Sequence, residues 1–175
     1  ASARLSGGDM VTALDARPEA AEIWRWLDEV SDPEIPVLSV NDLGIIRAVD
    51  VGSDGVVVTV TPTYSGCPAT AVIAISIEEA LHRRGVKGVR VRQQISPAWT
   101  TDWISPAGRE KLRAYGIAPP EGAACAGAAV RNAAKECPRC GSAHVEEVSR
   151  FGSTPCKAAY RCADCLEPFD YFKRF

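Results

Sequence analysis

No run of 18 apolar residues occurs in this chain of 175 residues, which excludes a membrane-crossing helix. A basic excess is missing too. The 20 Lys and Arg stand against 22 Asp and Glu, whereas a chain that grips phosphate backbones carries a cationic surface. The opening ASARLSGGDM has none of the apolar stretch of a secretory signal and reads as a disordered leader over 1–16. Histidine is scarce: only His82 and His144 are available to partner a thiol, so a cysteine–histidine catalytic pair has little support. What remains is a hydrophobic share of 46%, enough for a packed core. The expectation is a cytoplasmic protein with no nucleic acid and no membrane among its partners.

Cysteine is not scarce. Five of the seven lie between Cys137 and Cys165, and without a secretion signal their pairing as CxxC favours metal thiolates over disulfides. Cys137-Pro-Arg-Cys140 and Cys162-Ala-Asp-Cys165 are separated by 21 residues. Two such turns can each give a pair of thiolates to one tetrahedral ion, with metal–sulfur distances of about 2.3 Å. Zinc suits four thiolates, and the same cysteines also suit a single iron or an iron–sulfur cluster. The competing reading is two redox pairs or unligated thiols. A closed tetrathiolate shell has no open position, so the site is structural rather than catalytic. The 39 residues from 137 onward are too few to bury an adequate core alone, and the ion would staple them. HVEEVSRF and KAAYR read as ribbon strands, and Phe169, Tyr171, Phe172 and Phe175 divide between a small core and a contact surface. Cys156 stands outside the turns and reads as a buried small hydrophobe, with a substitute ligand or sensitive thiol as the alternative. Cys125 falls in an Ala/Gly stretch with no assigned role.

Upstream, RPEAAEIWRWLDEV (17–30) carries Ala20, Ile23, Leu27 and Val30 at helical steps, and the prolines of SDPEIP stop the helix. GIIRAVDV and VVVTVT around the turn GSDG predict a hairpin. A helix over PATAVIAISIEEALHRR follows, with Ile73, Ile77, Ala80 and Leu81 as its face, widened by Val72 and Ile75. VRVRQQI predicts a strand with Val89, Val91 and Ile95 inward. AWTTDWIS, with Trp99, Thr100, Asp102 and Trp103, is an aromatic loop that covers the sheet edge or binds a partner. Ser105-Pro106 opens a short helix that ends at Gly116, with Leu112 and Tyr115 on one side. The order α-β-β-α-β-α predicts an α/β (α+β) sandwich over 17–117, a Pro/Gly/Ala linker over 118–136 and a tetracysteine ribbon over 137–175.

The sixth thiol, Cys67, sits in TPTYSGCPAT just before Pro68, the expected first helical residue. At a helix N-terminus it is either an accessible sulfur in an electropositive setting or a packed, inert thiol. Asp32 and Glu34 in SDPEIP supply carboxylates near a transient metal, or cap and turn the chain.

DPEIPVLSVNDLGIIRAVDV, TPTYSGCPAT and AWTTDWISPAGREKLRAYGIAPP together resemble the small α/β domain of SufT and of cytosolic iron–sulfur targeting factors. With FGSTPCKAAYRCADCLEPFDYFK the likeness sharpens to the D-subunit family of phenylacetyl-CoA epoxidases. The resemblance implies an accessory protein, not an enzyme in its own right, for a di-iron oxygenase of phenylacetate degradation. Its partners would be the epoxidase reductase and oxygenase subunits, and it would assist assembly of an iron or iron–sulfur centre in one of them. Cys67 would be the acceptor or transfer thiol for iron or a cluster. A purely structural interaction subunit, a thiol enzyme and a homodimer remain open alternatives.

Overall fold

The computed structural model describes residues 17–120 and 135–175. The expected leader, Cys125 and residues 121–134 of the expected linker lie outside the described residues.

The first helix, α1 (Ala20–Leu27), forms within the stretch 17–30 that the spacing predicts. The Glu19 amide donates to the Glu22 carboxylate at 3.0 Å, occupying one of the amide donors at the helix start. Ile23 and Leu27 are fully buried and Val30 nearly so, as their spacing requires. The chain then turns through residues 31–44. Gly44 ends this segment at φ 65°, and a Cβ there would meet the Trp103 carbonyl oxygen at 2.3 Å. Both the left-handed backbone and the close approach require glycine.

The hairpin is present as β1 (Ile46–Gly52) and β2 (Gly55–Val60), antiparallel with a bulge between Ile46 and Ala48. The α2 helix (Ala69–Arg83) crosses over to β3 (Val89–Gln93), which pairs parallel to β2, giving the sheet order β1-β2-β3. β2 is the central strand, and Val56, Val58 and Val60 are buried along it. A 3-10 turn (Thr101–Trp103) leads into α3 (Pro106–Tyr115), where the Ser105 hydroxyl accepts from the Gly108 amide at 2.8 Å and Gly116 closes the helix at φ 90°. The predicted α-β-β-α-β-α order is therefore observed in a mixed α+β fold.

Four apolar side chains depart from the expected pattern. Ile73, Ile77, Ala80 and Leu81 of α2 are buried, but Val72 and Ile75 are exposed. Two helical steps turn about 200°, so Ile75 points away from the face that Ile73 defines. Ile95 is exposed because β3 ends at Gln93, and the Gln94 amide makes the last bond to the Val60 carbonyl. Tyr115 is exposed because the buried stripe of α3 is narrow, consisting of Gly108 and Leu112.

The tail adds a second sheet of order β4-β7-β6-β5, built from β4 (Ile117–Ala118), β5 (Val145–Ser149), β6 (Lys157–Cys162) and β7 (Pro168–Phe172). β5 and β6 occupy the stretches expected as ribbon strands. β4 is unexpected: Ala118 falls in the expected linker, yet Ile117 and Ala118 pair parallel with Asp170 and Tyr171 of β7. The strand that follows α3 thus becomes an edge of the tail's own sheet. Tyr160, Phe169 and Tyr171 cluster around Cys137 and Cys162 to form a small core. Phe172 and Cys156 instead join the main core.

Candidate functional site: a four-sulfur knuckle and a pocket under the tail

Two places in the molecule collect the chemistry-bearing residues. The first is the pair of CxxC turns. The Sγ atoms of Cys137, Cys140, Cys162 and Cys165 all lie within 4.8 Å of one another. Cys137 and Cys165 are 3.7 Å apart, and Cys140 and Cys162 are 3.6 Å apart. A tetrahedron with metal–sulfur bonds of about 2.3 Å has edges of about 3.8 Å, so this donor set fits a single tetrahedral ion.

Backbone geometry sets this spacing. Gly141, after the first turn, adopts φ 75°, and Leu166, after the second, adopts φ 64°. A left-handed leucine is costly, and its position matches that of the glycine in the other knuckle. The Cys165 amide approaches the Cys162 sulfur at 3.5 Å and helps hold that thiol down at about 7. The bonds Gly141 N to Cys137 O and Cys162 N to Glu167 O close the two turns at 2.9 Å. Arg139 ties one knuckle to the other through Glu167 at 3.0 Å. His144 stays outside the sulfur group, on the surface beside Asp164 at 3.2 Å.

The second place surrounds Cys67. Pro68, expected as the first helical residue, precedes α2 as its cap, and Cys67 comes one residue earlier. Its amide donates to the Tyr64 carbonyl at 3.2 Å, and its own carbonyl accepts from the Thr70 amide at 3.3 Å. Half-buried Cys67 lines a small, mostly apolar pocket of about 20 Å³, together with Asp32, Thr61 and Thr70 and with Ile45 and Ile73 among its apolar residues. Asp32 is 8% exposed. Its Oδ1 accepts from the amides of Glu34 at 2.8 Å and Ile35 at 2.7 Å, which folds SDPEIP into a tight turn. Burial raises the Asp32 carboxyl above its ordinary value, while those two amides oppose the shift. Thr61 is 1% exposed, yet its hydroxyl pairs with no donor or acceptor among the described residues. The Tyr64 hydroxyl is buried as well, with the Cys67 thiol as a neighbour. Burial, with Cys67, Glu34 and Cys156 nearby, pushes Tyr64 up to about 12.

The tail closes over this region. The Cys156 Sγ lies 3.8 Å from Glu34 Oε2 and 3.0 Å from the Thr154 hydroxyl. Burial leads the upward shift of its thiol, to about 11. Phe175 stacks on Tyr64 with ring centres 6.2 Å apart, and Phe172 and Phe175 both contact Trp99. Trp99 itself is buried and donates its Nε1–H to the Leu43 carbonyl at 2.9 Å.

Cys67, Asp32, Glu34 and Cys156 come from three separated stretches of sequence, and the fold brings them to one neighbourhood. Trp99 is structural at the junction, and Trp103 receives the Arg47 guanidinium over its ring at 3.5 Å. Thr61 and Tyr64 went unmarked by sequence reasoning. Tyr64 stands three residues before Cys67, a cue that was available. Thr61 stands between the last residue of β2 and Pro62 and carries no cue at all.

Comparison with known proteins bears on both places. Residues 20–93 match the model of the iron–sulfur cluster assembly protein family, and residues 123–173 match the PaaD zinc beta ribbon domain. The chain is 52% identical over 161 residues to an Escherichia coli K12 protein named as the D subunit of a "Putative 1,2-phenylacetyl-CoA epoxidase", covering 92% of this chain and 96% of the relative. It is 45% identical over 86 residues to an "Fe-S protein maturation auxiliary factor" of Porphyromonas gingivalis W83, covering 48% of this chain and 81% of the relative. Among solved structures, a DUF59 domain from Bacillus anthracis aligns with a TM-score of 0.50 at 24% identity over 53% of this chain and 90% of its own. That last likeness concerns the fold of the first part alone.

Proposed function

Since the chain belongs to the family of the phenylacetyl-CoA epoxidase D subunits, with an iron–sulfur assembly domain and a PaaD zinc ribbon, we propose that it is the accessory subunit that matures an iron centre of that epoxidase system. It works on the reductase or the oxygenase and has no independent catalytic activity. Iron, as an ion or a cluster, is its cargo, and Cys67 is the sulfur that receives it. The Cys137, Cys140, Cys162 and Cys165 group holds zinc, whose role there is to fix the ribbon's shape. All four positions of that shell are filled by protein, so no site for chemistry is left on it. We divide the protein accordingly into the assembly domain and the ribbon, the latter serving to recognise the client.

The observation that carries this reading is the pocket. Half-buried Cys67 lines one small pocket together with nearly buried Asp32 and with Thr61, whose buried hydroxyl has no partner among the described residues. Sulfur and carboxylate donors suit iron, and buried polar groups without partners are rare where nothing is bound.

Co-expression of the reductase and oxygenase subunits with this chain tests it. Cys67→Ser is expected to lower client iron, measured per protein with acid-labile sulfide, to the level found without the chain, while co-purification with the client persists. Full client iron with Cys67→Ser would overturn the transfer role and leave a structural interaction subunit.

A further inference from the structure

The sheet of the assembly domain has an open side. Its order is β1-β2-β3, and among the described elements β3 packs against β2 and α2 alone. The parallel ladder fixes which backbone groups of β3 are used. The Val56 amide donates to the Gly88 carbonyl at 3.2 Å, and the Gln94 amide donates to the Val60 carbonyl at 2.8 Å. Backbone groups alternate sides along a strand, so Gly88, Arg90, Arg92 and Gln94 face β2. Val89, Val91 and Gln93 therefore turn their amides and carbonyls to the open edge, which is a template for one more strand.

The side chains of β3 state what that strand must carry. Val89 is buried, whereas Val91 packs on the main core but is only partly buried, so an apolar side chain beside it would complete the layer. On the other face stand Arg90 and Arg92, both exposed. Arg92 meets Asp50 at 3.9 Å, a long contact between side chains that are each more than half exposed, and such a pair is weak. The cationic stripe disfavours a second copy of this chain. Antiparallel pairing centred on Val91 would set Arg90 of each copy opposite Arg92 of the other, and facing like charges destabilise a ladder. The edge also leads to the thiol. β3 ends at Gln93 beside Val60, which lines the Cys67 pocket, and Ile95 is 69% exposed just beyond that end.

We propose that the free edge of β3 is a docking site for an extended, acidic segment of the client protein. The segment adds as a further strand, sets apolar residues beside Val91 and presents carboxylates to Arg90 and Arg92. Main-chain hydrogen bonds hold it and alternate side chains select it. The client is thereby tethered at the end of the sheet where Cys67 lies, and the ribbon's contact is a second one.

This proposal rests on the maturation reading above for the identity of the client, and the test separates the two. Full-length, zinc-loaded protein is mixed with purified reductase or oxygenase subunits, and amide hydrogen exchange and affinity are measured. The amides of Val89, Val91 and Gln93 are expected to exchange freely in the isolated chain and to be protected by one of the clients. Arg90→Glu with Arg92→Glu is expected to weaken that binding by about tenfold or more, as for reversed charge across an interface, and added salt should weaken the parent's binding. Gln93→Pro removes an edge amide that β2 does not use and is expected to weaken binding too. If Gln93→Pro does not fold, the arginine variant decides the question alone. Edge amides already protected in the isolated chain, or protected only as its own concentration rises, overturn the proposal in favour of this chain or a second copy as the occupant. Parental affinity in the folded variants overturns the edge contact while the maturation role, read through Cys67→Ser, stands. A parent that binds neither client overturns both.

Discussion

Asp42 is bound by three separate residues of the first part of the chain. Its Oδ2 accepts from the Ser39 amide at 3.0 Å and the Lys111 ammonium at 2.6 Å, and its Oδ1 from the Ser105 hydroxyl at 3.1 Å. One side chain thereby anchors the turn before β1 to the start and middle of α3. Burial alone would raise this carboxyl, but the Lys111 and Ser39 hydrogen bonds outweigh it and hold it below its ordinary value of 3.8. A group whose folded-state value is depressed adds stability above the unfolded value, and that stability is lost as pH falls through the folded one. Asp42→Asn is therefore expected to cost about 1–3 kcal/mol at neutral pH, the range for disturbing a buried, charge-assisted hydrogen-bond group. The gap between parent and variant should close as pH drops below 3.8. Urea denaturation at several pH values measures both effects, and a gap that stays constant into acid would rule out the charge as its source.

At the scale of elements, β7 is the strand on which the tail depends. Residues of one face, Phe169 and Tyr171, fill the small core beside Tyr160, while Phe172 enters the main core beside Trp99 at 1% exposure. Alternation along a strand makes this division: successive side chains point to opposite faces, so one strand can serve two cores. Phe172→Ala is expected to destabilise the protein by about 3–5 kcal/mol, as for other buried aromatic truncations. It should also change the fluorescence of the neighbouring Trp99. A loss under 1 kcal/mol, on the order of a surface change, would mean that the tail is not held by this contact.

The elements that sequence periodicity predicted are those with several apolar residues in register, such as Ile73, Ile77, Ala80 and Leu81 of α2 and the valines of β2. Periodicity went wrong where an apolar residue stood outside the paired or packed stretch, as Val72, Ile75 and Ile95 did. It had no means of finding β4, because two residues, Ile117 and Ala118, form a strand only when β7 lies beside them. Propensity over so short a segment carries no signal against that tertiary pairing.

For the whole molecule, the tail and the assembly domain share a core. Phe172 and Cys156 belong to the same buried cluster as Ile23 and Leu81, and the Phe175 carbonyl accepts from the Thr101 amide at 3.3 Å. The sequence displayed the four ribbon cysteines openly, because CxxC spacing is local and its chemistry is narrow. It could mark Asp32, Glu34, Cys67 and Cys156 one at a time and could not join them, since their placement depends on how the tail packs into the main core. That docking is also why metal at the knuckle matters to a pocket it does not touch. The four sulfurs gather at one end of the ribbon, β7 sends Phe172 into the main core, and Phe175 stacks on Tyr64, three residues before Cys67.

The measurement that bears most directly on this chain of dependence is metal content with thiol accessibility in the protein purified without oxygen. The account predicts a colourless protein with one zinc per chain, kept by Cys67→Ser and lost by Cys162→Ser. In the zinc-bound protein Cys137, Cys140, Cys162 and Cys165 should resist a thiol reagent that modifies Cys67. A metal-free, folded protein in which all four react at once, or a brown one whose iron absorption disappears with Cys162→Ser, would contradict it.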